Sequence, residues 1–246
     1  MTEEASKSSK SLSLTLRNVY ETLAISWPTV VDAALRRVTK AACDDRLASW
    51  AEKIVRHTAL ALTVRGREHL APGKTYLVMS NHQSLYDVPV LFFVLGKNIR
   101  MITKKELFDV PIFGPAMREA GFISIDRANR QSAMESLAIA KEKMAAGTHV
   151  WIAPEGTRSK TGALSPFKKG GFALAMEAGL EVLPVTIDGT RNILVAKGLR
   201  SNAGAKVTIT FHATIDAKSY KKGNAGREQL MADVRAAIQS GFEPAR

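Results

Sequence analysis

The sequence holds a single cysteine, Cys43, so no disulfide can form within the chain, and a reducing cytoplasm suits it. No run approaches the roughly 20 apolar residues that a membrane-spanning helix needs. The longest such run, from Val88 to Leu95, is far shorter. Aromatic residues make up only 7% of the chain, and no basic stretch is interleaved with them. That argues against a nucleic-acid-binding module, the one rival from outside enzymology that a basic chain raises. No His, Cys or Asp cluster has metal-ligand spacing, so neither a metal nor a cofactor is expected. The opening MTEEASKSSKS puts Glu3 and Glu4 where a signal peptide would be basic, and no apolar core follows. It reads as a disordered tail over residues 1–11. Internal repeats, coiled-coil heptads and low-complexity tracts beyond this tail are missing too. Acidic residues are outnumbered 23 to 35, which leaves a net charge of +12. An anionic partner is favoured: anionic lipid, a nucleotide-bearing thioester or an acidic carrier protein.

What is present begins with length. A chain of 246 residues, 46% apolar and 24% charged, can bury one large core. Residues 12–64 read as amphipathic helices, with breaks near Pro28 and around Asp44 and Asp45. Leu12, Leu16, Val19, Leu23 and Trp27 recur at three- and four-residue spacings, and Val31, Leu35 and Val38 continue the stripe beside Arg36, Arg37 and Lys40. Such a hairpin either packs on the main domain or docks at a membrane interface, and different faces can do both. From residue 65 to 246 short β-rich runs alternate with helical stretches. Strands are predicted over Tyr76–Ser80, Ile99–Thr103, Gly121–Ile125, His149–Ala153, Val182–Ile187 and Lys206–Ile215. Helices are predicted over Pro111–Glu119, Gln131–Ala146, Gly170–Ala178 and Arg227–Ser240. The alternation points to an α/β fold, a mostly parallel sheet flanked by helices and preceded by the helical hairpin.

Four blocks stand out, and the first three carry chemistry. The first, Asn81-His82-Gln83-Ser84-Leu85-Tyr86-Asp87, follows a predicted strand. Residues five apart point away from each other on a regular helix. His82 and Asp87 therefore meet only if a strand-to-helix turn folds His82 back, with Asn81 and Ser84 as capping residues. A carboxylate there would fix the imidazole tautomer and stabilise an imidazolium formed during proton abstraction. Backbone N–H groups at the helix start after His82 could serve as oxyanion donors. The remaining histidines, His57, His69, His149 and His212, lack such neighbours and read as structural. The second block, Pro154-Glu155-Gly156-Thr157-Arg158-Ser159, offers a close backbone approach at Gly156, two hydroxyls, and a guanidinium fork that matches phosphate oxygens. Its bland alternative is a polar turn in which Glu155 and Arg158 pair with each other. Downstream, Phe167-Lys168-Lys169-Gly170-Gly171 adds positive charge at a helix start. The third block, Gly121-Phe122-Ile123-Ser124-Ile125-Asp126-Arg127, ends a strand in a charged pair, and Val182-Leu183-Pro184-Val185-Thr186-Ile187 reads as core.

In this order and spacing, NHQSLYD, GFISIDR, PEGTRS and LPVTI resemble the four signature blocks of the 1-acyl-glycerol-3-phosphate acyltransferase (PlsC-like) family, over about residues 70–190. The resemblance implies a fatty acyl transfer from acyl-CoA or acyl carrier protein to the sn-2 hydroxyl of lysophosphatidic acid. His82 would be the general base, assisted by Asp87, with no metal and no covalent acyl-enzyme. It implies that Glu155, Gly156, Thr157 and Arg158 bind the acceptor's glycerol phosphate, with Arg127 nearby and Lys105 a further phosphate candidate. Glycerol 3-phosphate, another lysophospholipid or a lyso-aminolipid stands as the alternative acceptor. The helices before residue 70 are similar in kind to a membrane-docking two-helix element. The expected location is thus the cytoplasmic face of the inner membrane, attached peripherally to an anionic surface.

Overall fold

A computed structural model of the chain describes residues 11–126 and 130–242. Two long helices come first, α1 (Leu12–Ala34) and α2 (Lys40–Thr58). Ser11 and Thr39 cap them through their side-chain oxygens, at 3.1 Å to the Leu14 N–H and 3.2 Å to the Ala42 N–H. The breaks differ from those predicted. Pro28 sits inside α1, which continues through it, and Asp44 and Asp45 sit inside α2. The chain turns instead at residues 35–39, where Arg36 takes a positive φ of 54°. Asp44 does not interrupt α2 because its carboxylate pairs with the buried Arg100 and with Lys40 at 2.6 Å.

The helical stretch also ends earlier than predicted, at Ala59 in the left-handed region. Residues Ala61–Arg65 form strand β1, which pairs parallel with a late strand, β7 (Lys206–Phe211). The α/β domain therefore starts at β1, four residues before the predicted boundary at 65. Ala59 breaks the helix without glycine or proline, the usual markers of such a break.

Next come β2 (Leu77–Ser80), α3 (Asp87–Leu95), β3 (Ile99–Lys104), α4 (Phe113–Glu119) and β4 (Ile123–Ile125). They are followed by α5 (Arg130–Ala145), β5 (His149–Ile152), α6 (Gly170–Ala178), β6 (Glu181–Asp188) and the short α7 (Thr190–Ile193). After β7 come β8 (Ile215–Asp216) and α8 (Asn224–Ser240). The predicted strand Lys206–Ile215 is thus two strands, because the chain bends at 212–214 and β7 and β8 pair successive parts of β6. The sheet order is β1-β7-β6-β2-β5-β3-β4, with β8 also on β6. Only β7 and β8 run antiparallel to their neighbour β6.

Strand alternation separates two cores. Val78, Trp151, Leu183 and Val185 face α2 and α3, whereas Leu77, Met79, Val150 and Val182 face α5, α6 and α8. Because β2, β3, β4, β5 and β6 are parallel neighbours, their C-terminal ends share one edge. The first three blocks lie at this edge, and the apolar fourth forms the body of β6. α1 packs across α2 and α4 over this side of the sheet.

Candidate active site

At the end of β2 the chain turns sharply before α3, and His82 folds back onto Asp87. His82 Nδ1 lies 2.6 Å from Asp87 Oδ2. Asp87 is fully buried, and Oδ2 also accepts the backbone N–H groups of Gln83 at 2.7 Å and Ser84 at 3.0 Å. Its other oxygen accepts the hydroxyl of Thr190. A carboxylate held by donors on both oxygens cannot rotate, so it presents one fixed acceptor to the imidazole. The tautomer with hydrogen on Nδ1 follows, which leaves the Nε2 lone pair facing a cavity. Trp151 stands edge-on to the ring, with centroids 6.0 Å apart.

The capping residues anticipated in this turn act over longer range. Asn81 exchanges two 2.7 Å hydrogen bonds with the backbone of Ile187 on β6, and Ser84 donates to the Leu194 carbonyl at 2.7 Å. Three of the backbone N–H groups after His82 are not available to an oxyanion. Those of Gln83 and Ser84 are spent on Asp87, and that of Tyr86 on the Ser84 hydroxyl. By contrast, the N–H groups of Thr157 and Arg158 are not engaged by other described residues.

The PEGTRS loop leaves β5 beside this turn and is tied to it. Ser159 N–H donates to the His82 carbonyl at 2.7 Å. Glu155 is 2% exposed and does not line the cavity. Its carboxylate accepts the His82 N–H at 2.7 Å and the Ser165 N–H at 2.8 Å. It does not pair with Arg158, and its carboxylate does not face the cavity. Both oxygens are already committed, which is the physical reason it stands apart from the expected phosphate contact. Gly156, Thr157 and Arg158 do reach the cavity wall, and Gly156 has the positive φ of 74° that its loop requires. Arg158 is only half-buried and has no carboxylate partner among the described residues.

Lys105 is placed differently from the expectation. It leaves the cavity wall and pairs with Asp126 at 2.5 Å, a hydrogen bond that raises its pKa. The preceding Lys104, at the end of β3, lines the cavity instead. Arg127 lies outside the described residues. Lys169 pairs with Glu228 at 3.3 Å, away from the site. Among the described residues no three His, Cys, Asp or Glu side chains are grouped so as to hold a metal ion.

The cavity itself measures about 650 Å³ and runs from His82 and Arg158 in under α1 and α2. Its far wall is apolar, with Leu47, Met101, Phe113, Met117 and Phe122. Sequence reasoning missed Thr190 and gave no role to Lys104. Thr190 lies 103 residues from Asp87 in a short helix with no motif, and only the fold reveals the pairing.

The remaining histidines split. His149 accepts the Tyr76 N–H at 3.1 Å and His212 pairs with Thr186 at 2.8 Å, both as structural groups. His57 does have a carboxylate neighbour, Glu21, 3.9 Å away on α1.

Comparison with known proteins shows the family and the fold. The sequence model of the Acyltransferase family matches residues 61–188, from β1 to the end of β6. A 1-acyl-sn-glycerol-3-phosphate acyltransferase of Chlamydomonas reinhardtii is 34% identical over 184 residues, 74% of this chain and 53% of that one. The chloroplastic LPAT1 of Arabidopsis thaliana, a 1-acyl-sn-glycerol-3-phosphate acyltransferase, is 36% identical over 60% of this chain and 42% of its own. The human 1-acyl-sn-glycerol-3-phosphate acyltransferase alpha is 34% identical over 59% of this chain and 52% of its own. The chain thus spans about half the length of these relatives. The fold matches the crystal structure of the 1-acyl-sn-glycerophosphate acyltransferase PlsC from Thermotoga maritima, with a TM-score of 0.70 and 23% identity. That match covers 95% of this chain and all of the other. With its first three blocks gathered at one sheet edge and the family pattern covering that edge, the chain belongs to the acyltransferase family.

Proposed function

We propose that the chain transfers a fatty acyl group from a thioester, acyl-CoA or acyl carrier protein, to the sn-2 hydroxyl of 1-acyl-glycerol 3-phosphate, releasing phosphatidic acid. The observation that carries the reading is the His82–Asp87 pair at the mouth of a deep, largely apolar cavity. His82 Nε2 takes the proton from the acceptor hydroxyl as that oxygen attacks the thioester carbonyl, and Asp87 steadies the imidazolium. The tetrahedral oxyanion is met by the Thr157 and Arg158 N–H groups, and the thiolate leaves with the proton returned from His82. Arg158 and Lys104 supply the positive charge for the acceptor phosphate, and Gly156 lets it approach the backbone. Glu155 positions His82 through its backbone. Arg127 is a further phosphate contact in this reading. The acyl chain lies along Leu47, Met117 and Phe122, where each methylene removed from water contributes about 0.8 kcal/mol.

The reading includes peripheral attachment to the cytoplasmic face of the membrane through α1. This helix is built inside out. Asn18, Ser26 and Thr29 are buried, while Leu16, Tyr20, Leu23 and Trp27 are exposed. No described helix is long and apolar enough to cross a membrane, so an apolar outer face is suited to lie in the interface.

The test is purified protein with labelled acyl-CoA and acyl carrier protein against a panel of lyso-acceptors on vesicles, with products resolved by mass. Phosphatidic acid as the main product is expected. A product only from another lysophospholipid or from glycerol 3-phosphate would overturn the acceptor assignment.

A further inference from the structure

We propose that the connection between β6 and β7, residues 189–205, carries a second membrane-contacting site at its tip, fitted to an anionic lipid surface. The tip is a closed turn, with the Gly198 N–H donating to the Val195 carbonyl at 2.9 Å and Lys197 held at a positive φ of 65°. Directly after it stands Leu199, at 74% the most exposed large apolar side chain among the described residues. Val195 is exposed as well. Lys197 and Arg200 bracket Leu199, both exposed and neither paired with a carboxylate among the described residues. An apolar side chain on a tight turn between two unpaired cations suits the boundary of a bilayer. The leucine enters the acyl region, and the cations meet phosphates.

Continuity with α1 favours lipid over a protein partner. Ser11 and Ser201 form an antiparallel bridge at 2.8 and 3.1 Å, and the Thr15 and Ser201 hydroxyls bond at 2.8 Å. The bridge sets Arg200 beside Leu12, so the tip extends the exposed apolar row of α1 that includes Leu12 and Leu16. Here the proposal rests on the reading of α1 as lipid-facing.

The root of the same connection holds the catalytic turn. Thr190 bonds Asp87, the Leu194 carbonyl accepts Ser84, and Ser201 meets the Tyr86 hydroxyl at 2.8 Å. Asn18 of α1 donates to that hydroxyl at 2.7 Å. A tip seated in lipid therefore sets the height of the His82–Asp87 pair above the surface from which the acceptor arrives.

The experiment labels Leu199→Cys with an environment-sensitive fluorophore. Cys43 lines the cavity and is replaced by Ala in both labelled proteins, so that the introduced thiol alone carries the probe. Trp27→Cys, labelled likewise, reports α1 separately. Vesicles of phosphatidylglycerol with phosphatidylcholine should shift the Leu199 probe to the blue, and nitroxides on the acyl chains should quench it. Neutralising Lys197 and Arg200 to Gln should lower vesicle partitioning by about fivefold each at low salt. Thermal melts of these surface variants check that they fold. A silent tip probe beside a responding Trp27 probe would overturn the proposal and leave the α1 reading intact. A responding tip beside a silent Trp27 would keep the tip and remove α1. Silence at both removes both. A tip that responds to acidic acyl carrier protein but not to vesicles would overturn the lipid assignment in favour of a protein donor.

Discussion

Asp87 and Arg158 occupy opposite regimes at the residue scale. The first is fully buried and has no hydrogen-bonding capacity to spare, and the second is half-exposed with its fork unpaired. Arg158 is therefore the residue whose replacement separates binding from chemistry. Arg158→Ala should lower kcat/KM for lysophosphatidic acid by about tenfold to a hundredfold, since a charged hydrogen bond contributes roughly 1.5–3 kcal/mol. Arg158→Lys should recover part of this, because the charge returns without the fork. Acceptor-independent thioester hydrolysis, measured in the same variants, should change much less. Equal losses of both activities would instead make Arg158 a structural group. The neighbouring Glu155 shows how far a motif can be read. Its identity and place in the loop were legible, but its direction was not. A carboxylate in such a loop can face a ligand or accept local N–H groups, and the burial that chose the second depends on Ser165 and the folded turn at His82.

Among the elements, α1 is the one whose two faces have exchanged their usual roles. If its outer row lies in lipid, replacing Leu16, Leu23 and Trp27 together by Ser should cut vesicle co-sedimentation by two orders of magnitude or more. Full burial of one such side chain contributes about 1.5–3 kcal/mol. Undiminished binding by a folded triple variant would move the anchor elsewhere. The row itself was plain in the sequence, since Leu12 to Trp27 recur at helical spacing. The stripe alone left open whether it faced the main domain or a membrane interface, because the polar face finds its partners far along the chain. Asn18 meets Tyr86, and Thr22 accepts from the Trp50 indole at 3.0 Å. The parallel strands β2, β5 and β6 were legible for the reason that such strands are apolar on both faces. β1 was not. It is an edge strand with alternate residues exposed, and it follows a helix that ends at Ala59 without a conventional stop signal. The division of the last strand at 212–214 was equally hidden, because β7 and β8 differ in partner position and not in composition.

For the whole molecule, acid should unfold the protein through histidines buried in their neutral form. Burial lowers the pKa of His149, His57 and His212 below their ordinary 6.5, with Arg17 adding to the effect at His57 and His69 at His212. Below pH 6.5 the unfolded chain then binds more protons than the folded one, so stability falls as pH drops through that window. Above it these groups contribute no slope. The melting temperature should decline from pH 7 to 5, and His149→Gln should flatten that decline; an unchanged slope would remove His149 from the account. The proposed activity rests on a different histidine, and the most direct test of the central claim is the initial rate of phosphatidic acid formation by His82→Ala. Acyl thioester and lysophosphatidic acid on anionic vesicles are the substrates, with folding verified by melting. The general base is expected to contribute about 10² to 10⁴ in rate, so the folded variant should lose at least that much. A folded His82→Ala protein that forms phosphatidic acid at the parent rate would contradict the assignment of His82 as the base.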